Sequence, residues 1–243
     1  VRVAGLLLAA GAGSRFGMPK ALVPWRGTPL VVRGARLLAA AGCSPLVVTV
    51  GAQAAAVAAV LAAAEVPARP VPVDGWAEGM GASLRAGLAA LAADEPAAVV
   101  VALVDQPHVE PSLIQRLITY ATPARGFEIG QTRGVSGDAP GLTDLEIGVG
   151  DRGEGGGGSP GAVVAPGAVV AAYGGRPRTP VLLRREIWPE VAALARGDVG
   201  ARAWLRANPD RVLAVPCDDV GRPDDIDTPA DLAHLTGEDP VTG

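Results

Sequence analysis

Aromatic residues make up only 3% of this 243-residue chain. So low a share argues against an aromatic-cored β-sandwich and for helices packed closely on a sheet built from Ala, Val and Leu. His108 and His234 are the only histidines, too few for a His-rich metal centre. Cys43 and Cys217 stand far apart, in no metal-like or redox-like spacing. They read as reduced, buried thiols of a cytoplasmic protein. No uninterrupted apolar run approaches the roughly 20 residues of a membrane helix. A net charge of −4 supplies no basic field for a nucleic-acid backbone. Neither membrane nor nucleic acid is an expected partner. Lysine is scarcer still: 20 of the 21 basic residues are Arg, and the single Lys is Lys20.

What is present is a core. With 49% hydrophobic residues, the chain is expected to fold rather than stay disordered. Val1 to Ala10 imitates a signal peptide in outline, but the stretch is short. It makes better sense as a strand running into a functional loop. Strands and helices then alternate. Strands are expected at 2–8, 46–50, 68–73 and 97–104, the last apolar throughout, as in a central parallel strand buried on both faces. Helices are expected at 52–64, 79–93 and 111–121, and one opened by Thr28 as N-cap with Pro29 at its first position, ended by Gly42. The pattern implies βαβ units and a parallel sheet.

Between 121 and 160 no period survives, and 12 of the 33 glycines fall there. This reads as a flexible insertion in a single domain spanning 1–243, with one short strand near 127–129. Order returns with strands at 169–173, 180–183 and 212–215 and helices at 187–195, 201–207 and 228–235. Residues 236–243 read as a tail.

Two places carry chemistry. The first is the loop Leu8-Ala9-Ala10-Gly11-Ala12-Gly13-Ser14-Arg15-Phe16-Gly17-Met18-Pro19-Lys20. Its glycines let backbone N–H groups converge on an anion, and Arg15 and Lys20 add positive charge, as a polyphosphate requires. It lacks the Gly-Lys-Ser/Thr ending of a P-loop, and its third glycine falls one position late for a dinucleotide fingerprint. A plain Gly-rich turn is the bland alternative. The second is Asp105, at the carboxyl end of the buried strand, where ligands bind in open α/β sheets and a carboxylate can hold Mg²⁺ against a phosphate. A loop or capping Asp is the alternative there. The Asp-rich segment 218–227 has no EF-hand spacing. One of its carboxylates suits a second metal ligand, although Asp227, just before Thr228-Pro229, also reads as a helix cap.

Leu-Ala-Ala-Gly-x-x-x-Arg-x-Gly-x-Pro-Lys at 8–20 resembles the signature of the MobA-like nucleotidyltransferases. Trp76 to Leu84, Asp105-Gln106-Pro107, Gly197 to Arg202 and Asp225 to Pro229 resemble further motifs of the molybdenum-cofactor cytidylyltransferase branch. The resemblance spans the chain except 121–160. It implies a three-layer α/β/α, Rossmann-like nucleotidyltransferase with a mostly parallel sheet. Such an enzyme moves a nucleoside monophosphate from a nucleoside triphosphate to a phosphorylated acceptor such as molybdopterin, with Mg²⁺, releasing pyrophosphate. A molybdenum hydroxylase is an implied further partner. Ala9, Ala10, Gly11, Ala12 and Gly13 would hold base and phosphates, with Gly79 and Ser83. Arg15, Lys20 and Asp105 would be catalytic, Asp105 and Asp227 the metal ligands, and Asp198, Gly200 and Arg202 would meet the acceptor. Ala10, where guanylyl-transferring relatives carry Gly, favours CTP over GTP. Three features depart from the pattern: Val104 in place of Gly, Thr179 in place of a histidine, and the insertion.

Other readings stay open. Sugar-1-phosphate and methylerythritol-phosphate nucleotidyltransferases fit the loop length less well. An NAD(P)-dependent oxidoreductase on the same fold, and a non-catalytic nucleotide-binding partner of a molybdenum hydroxylase, are the alternatives from other classes. The glycine load of 121–160 makes ordering costly and brings few apolar groups to offset it. Limited proteolysis is therefore expected to cut there first and leave two associated fragments; protection equal to that of the central strands would contradict it.

Overall fold

A computed structural model describes residues 1–122 and 165–237. The expectations for the insertion beyond Thr122, for a strand near 127–129 and for the last six residues lie outside the described residues. In chain order come β1 (Val3–Ala9), β2 (Pro24–Trp25), β3 (Thr28–Pro29), α1 (Leu30–Ala40), β4 (Leu46–Val50), α2 (Ala54–Ala63) and β5 (Ala68–Pro72). Then follow α3 (Met80–Ala92), β6 (Ala98–Leu103), α4 (Pro111–Ala121), β7 (Ala168–Tyr173), β8 (Arg176–Arg184) and α5 (Trp188–Leu194). Last are α6 (Arg202–Ala207), β9 (Val212–Pro216) and α7 (Pro229–Thr236).

Among the described residues, seven strands form one sheet in the order β5-β4-β1-β6-β8-β7-β9. β8 pairs antiparallel with both β6 and β7, and every other pair is parallel. The sheet is mostly parallel, as expected, with one reversed strand inside it. β1 shows why this sequence builds a central strand. All seven of its residues are buried. Val3, Leu7 and Ala9 point into the cluster that holds α1, α2 and α4. Ala4, Leu6 and Leu8 point into the opposite cluster, with Leu84 and Leu88 of α3, Trp188 of α5 and Trp204 of α6. An apolar residue at every position serves two covered faces, and the result is a three-layer α/β/α sandwich.

Most boundaries fall within one or two residues of the sequence expectation. β8 starts four residues earlier than expected, at Arg176. The opening of α1 is a correction. Thr28 and Pro29 are not helical; they pair antiparallel with Trp25 and Pro24. Arg26 (φ 48°) and Gly27 (φ 79°) form the left-handed two-residue turn between them, the geometry short hairpins favour. The helix starts at Leu30, and Thr28 makes no capping bond. Pro29 fixes φ in the region helix and extended chain share, so its extended ψ was free to follow the hairpin.

At the other end, Thr228 is a true cap. Its hydroxyl accepts from the Asp231 N–H (3.2 Å), and the Asp231 carboxylate accepts from the Thr228 N–H (2.7 Å). The Asp227 side chain takes no part, so the cap reading of Asp227 is wrong. Thr236 belongs to α7 and not to a tail. Thr228→Ala is expected to lower stability by about 1 kcal/mol and Thr228→Ser to restore most of it, as measured by chemical denaturation.

Candidate active site

The carboxyl ends of β1 and β6 lie side by side, with Leu8 opposite Leu103. That register places the loop after β1 next to Asp105. Within the loop the Phe16 N–H donates to the Gly13 carbonyl at 2.8 Å. Gly13 has φ 61°, and a Cβ there would stand 2.8 Å from the backbone nitrogen of Lys20, so only glycine lets the loop fold back on itself. Among the described residues, no hydrogen bond engages the N–H groups of Gly11, Ala12 and Gly13. They are available to an anion.

A cleft of about 340 Å³ opens here. Its walls include Ala10, Gly11, Ala12, Gly13 and Lys20 from the loop, Gly79 and Ser83 at the start of α3, Asp105, and Asp198 from the short turn Gly197–Val199. Trp76, Met80 and Val104 also line it. The amino end of the 13-residue α3 thus faces the cleft, and its dipole favours negative charge there. Ala9 is buried within β1 behind the lining. Gly200 lies beside Met80 outside the lining, and exposed Arg202 donates to the Asp198 carbonyl at 3.2 Å. Arg15 stands at the rim, 68% exposed, 3.9 Å from Asp227.

The centre of the site is an ion triad. Lys20 Nζ lies 2.7 Å from Asp105 Oδ2 and 2.6 Å from Asp227 Oδ1. The Lys20 and Asp105 side chains are each 19% exposed, and Asp227 is 53% exposed. Burial alone would lower the Lys20 pKa; the Asp105 and Asp227 carboxylates outweigh it and hold the ammonium above its ordinary value. Asp105 Oδ1 is buried without a hydrogen-bond partner. Two carboxylates with no cation between them would repel, and Lys20 removes that repulsion. The sequence pattern aims Lys20 at phosphate; in this structure it closes the carboxylate pair.

Asp227 reaches this place because its segment is strapped to the end of β6. The Ile226 N–H donates to the Asp105 carbonyl at 2.8 Å, while the Ile226 side chain is fully buried. Gln106 donates to Asp225 Oδ1 at 2.9 Å. Asp225 is exposed as a residue, yet its carboxyl turns onto Gln106; desolvation, ahead of the nearby Asp105 and Asp227 charges, raises its pKa. His108 and Asp224 make a further tie at 3.2 Å. Asp225 and Gln106 escape sequence reasoning as a working pair, because only contact shows that the two motifs bind each other.

Asp198 is positioned by backbone packing. A Cβ on Gly81 would stand 2.7 Å from both Ala195 C and Arg196 N, and Arg85 also donates to the Ala195 carbonyl. Gly81→Ala is therefore expected to destabilise by about 1–3 kcal/mol from overpacking, against a helix-propensity gain of about 1 kcal/mol. Denaturant unfolding decides it, and a net stabilisation would refute the close-packing account.

Comparison with known proteins finds relatives along the chain. The MobA-like NTP transferase domain matches residues 5–134. A nicotine blue oxidoreductase of Paenarthrobacter nicotinovorans is 34% identical over 234 residues, 96% of each chain. A molybdenum cofactor guanylyltransferase of Rhodobacter capsulatus is 36% identical over 139 residues, 54% of this chain and 65% of that one. A nucleotidyl transferase from Methanothermobacter shares the fold at TM-score 0.68 and 18% identity, over 97% of this chain and 96% of that one. The chain belongs to the MobA-like NTP transferase domain family.

Proposed function

We propose that this protein is a Mg²⁺-dependent nucleotidyltransferase that moves a nucleoside monophosphate, CMP in preference to GMP, from the triphosphate to a phosphorylated acceptor of the molybdopterin kind. The observation that carries the reading is the meeting of Asp105 and Asp227 on one cation, Lys20 Nζ, beside a loop of free amides. The residues fit a divalent metal. Two oxygens already converge on one positive charge, and Asp105 Oδ1 is buried with no donor. Among the described residues no cluster of three or more His, Cys, Asp or Glu could hold an ion by itself. Two carboxylates suit Mg²⁺, which keeps positions for phosphate oxygens and water.

Asp105 and Asp227 would hold the metal, which when bound supplies charge neutralisation at the phosphates. The amides of Gly11, Ala12 and Gly13 and the amino end of α3 bind phosphate oxygens. An acceptor phosphate oxygen attacks the α-phosphorus; that P–O bond forms as the bond to the β-phosphate oxygen breaks, and pyrophosphate leaves. The attacking oxygen is already an anion, so no general base is required. Arg15, exposed at the rim, answers the charge on the departing pyrophosphate, and a Lys20 released to the phosphates adds to it. Ala10, which lines the cleft where guanylyl-transferring relatives carry Gly, favours cytosine over guanine. Asp198 faces the acceptor side, with Gly200 and Arg202 shaping its turn.

The oxidoreductase name of a relative matched over 96% of its length favours a second reading, hydride transfer from a reduced nicotinamide nucleotide. One assay separates the two. Pyrophosphate release is measured with CTP, GTP, ATP and UTP in Mg²⁺, with and without molybdopterin, beside oxidation of NADH and NADPH with a dye acceptor. Release with CTP that depends on molybdopterin is expected. Nicotinamide oxidation without release from any triphosphate would replace the transferase reading, and triphosphate binding with neither signal would leave a binding protein.

A further inference from the structure

The lone lysine of an otherwise arginine-only chain sits where two carboxylates would receive a metal. Its ammonium contacts one oxygen of each, at 2.7 Å and 2.6 Å. From this juxtaposition we infer that Lys20 is the resident cation of the site and competes with a divalent metal for the Asp105 and Asp227 oxygens, so that the metal enters together with a triphosphate that takes Lys20 over. The inference deepens the transferase reading and rests on it for the identity of the triphosphate.

The chemistry of the side chain supports this role. An ammonium is a compact charge with three donors around one nitrogen, so it can serve two carboxylates that approach from different loops. An arginine fork prefers to lie along one carboxylate with two parallel bonds, and would leave the other unpaired. The chain's other basic residues are all Arg, including Arg15, whose guanidinium stands 3.9 Å from Asp227 and, among the described residues, bridges no second carboxylate. The flexible stem of Lys20 lets the charge swing away without moving the loop.

Exchange is then a matter of linkage. A metal arriving alone must displace Lys20 and strand a partly buried ammonium. A metal arriving with a triphosphate brings the anion that the freed ammonium needs. The free amides of Gly11, Ala12 and Gly13 lie in the same cleft as Lys20, so the phosphates they attract would lie within its reach. The two ligands are therefore expected to bind with positive coupling, of the order of 5–150-fold as such couplings run. The free enzyme keeps a neutralised, closed carboxylate pair.

The experiment is Mn²⁺ binding without nucleotide, followed by the electron paramagnetic resonance of free Mn²⁺, on the wild-type chain, Lys20→Met and Arg15→Met. Lys20→Met is expected to bind Mn²⁺ about tenfold more tightly than wild type, within the range such couplings reach. Arg15→Met, which removes a nearby surface charge but no bridge, is expected to gain about threefold or less. Equal or weaker Mn²⁺ binding by Lys20→Met overturns the competition, as does an equal gain in both variants. Should Lys20→Met fail to fold, the unaltered protein answers through its single ¹⁵N-lysine Nζ resonance. Mg²⁺ alone is expected to leave that signal in place, and Mg²⁺ with a non-hydrolysable CTP analogue to move it. A signal moved as far by the same concentration of Mg²⁺ alone overturns the inference. Pyrophosphate release without the Mn²⁺ gain leaves transfer standing and removes the competition; the gain without release does the reverse.

Discussion

Two carboxylates brought to one edge of a sheet repel each other unless a cation stands between them, and the Lys20 ammonium occupies that position here. Much of the upper edge of the molecule is arranged around this contact. The glycine loop must turn back after β1 for Lys20 to arrive, and the conformation of Gly13 allows it. The segment before α7 must come down onto β6 for Asp227 to arrive, and the bond from Ile226 to the Asp105 carbonyl brings it there. Asp105 alone needs no device. It follows directly from a strand buried on both faces.

The strap that delivers Asp227 is built from weak parts that act together. Ile226 supplies buried apolar area, Gln106 and Asp225 a hydrogen bond across two motifs, and the Thr228–Asp231 capping box a fixed start for α7. The Asp227 N–H also donates to the Asp231 carboxylate at 3.1 Å. Its backbone is thus held from the helix side while its side chain turns to the ion triad. Position and charge are supplied by different residues, so either can be altered without the other.

The same scaffold holds relatives with different reaction names, a guanylyltransferase and an oxidoreductase among them. A loop of free amides beside a helix amino end accepts any nucleotide's phosphates. Transfer at phosphorus uses a metal that a pair of carboxylates can hold, and hydride transfer does not need one. That pair is why the transferase reading is preferred for this chain.

The sequence by itself determined the layers and the chemistry-bearing places. A doubly buried strand such as 97–104 is unbroken in apolar character, and glycine, proline and a lone lysine mark a loop whatever surrounds it. Local signals of this kind depend on neighbours a few positions away. Where local rules allowed two conformations, contact decided. Pro29 suits the first turn of a helix and equally an extended chain, and the Arg26–Gly27 turn settled it in favour of the hairpin. Asp227 could cap a helix or face a cation, and the strap onto β6 turned it to Lys20. The sequence pointed to Asp105 and Asp227 as one pair; that Lys20 stands between them was beyond it. The three residues stand near the start, middle and end of the chain, and the sum of their charges becomes visible only when the loops that carry them meet at one edge of the sheet.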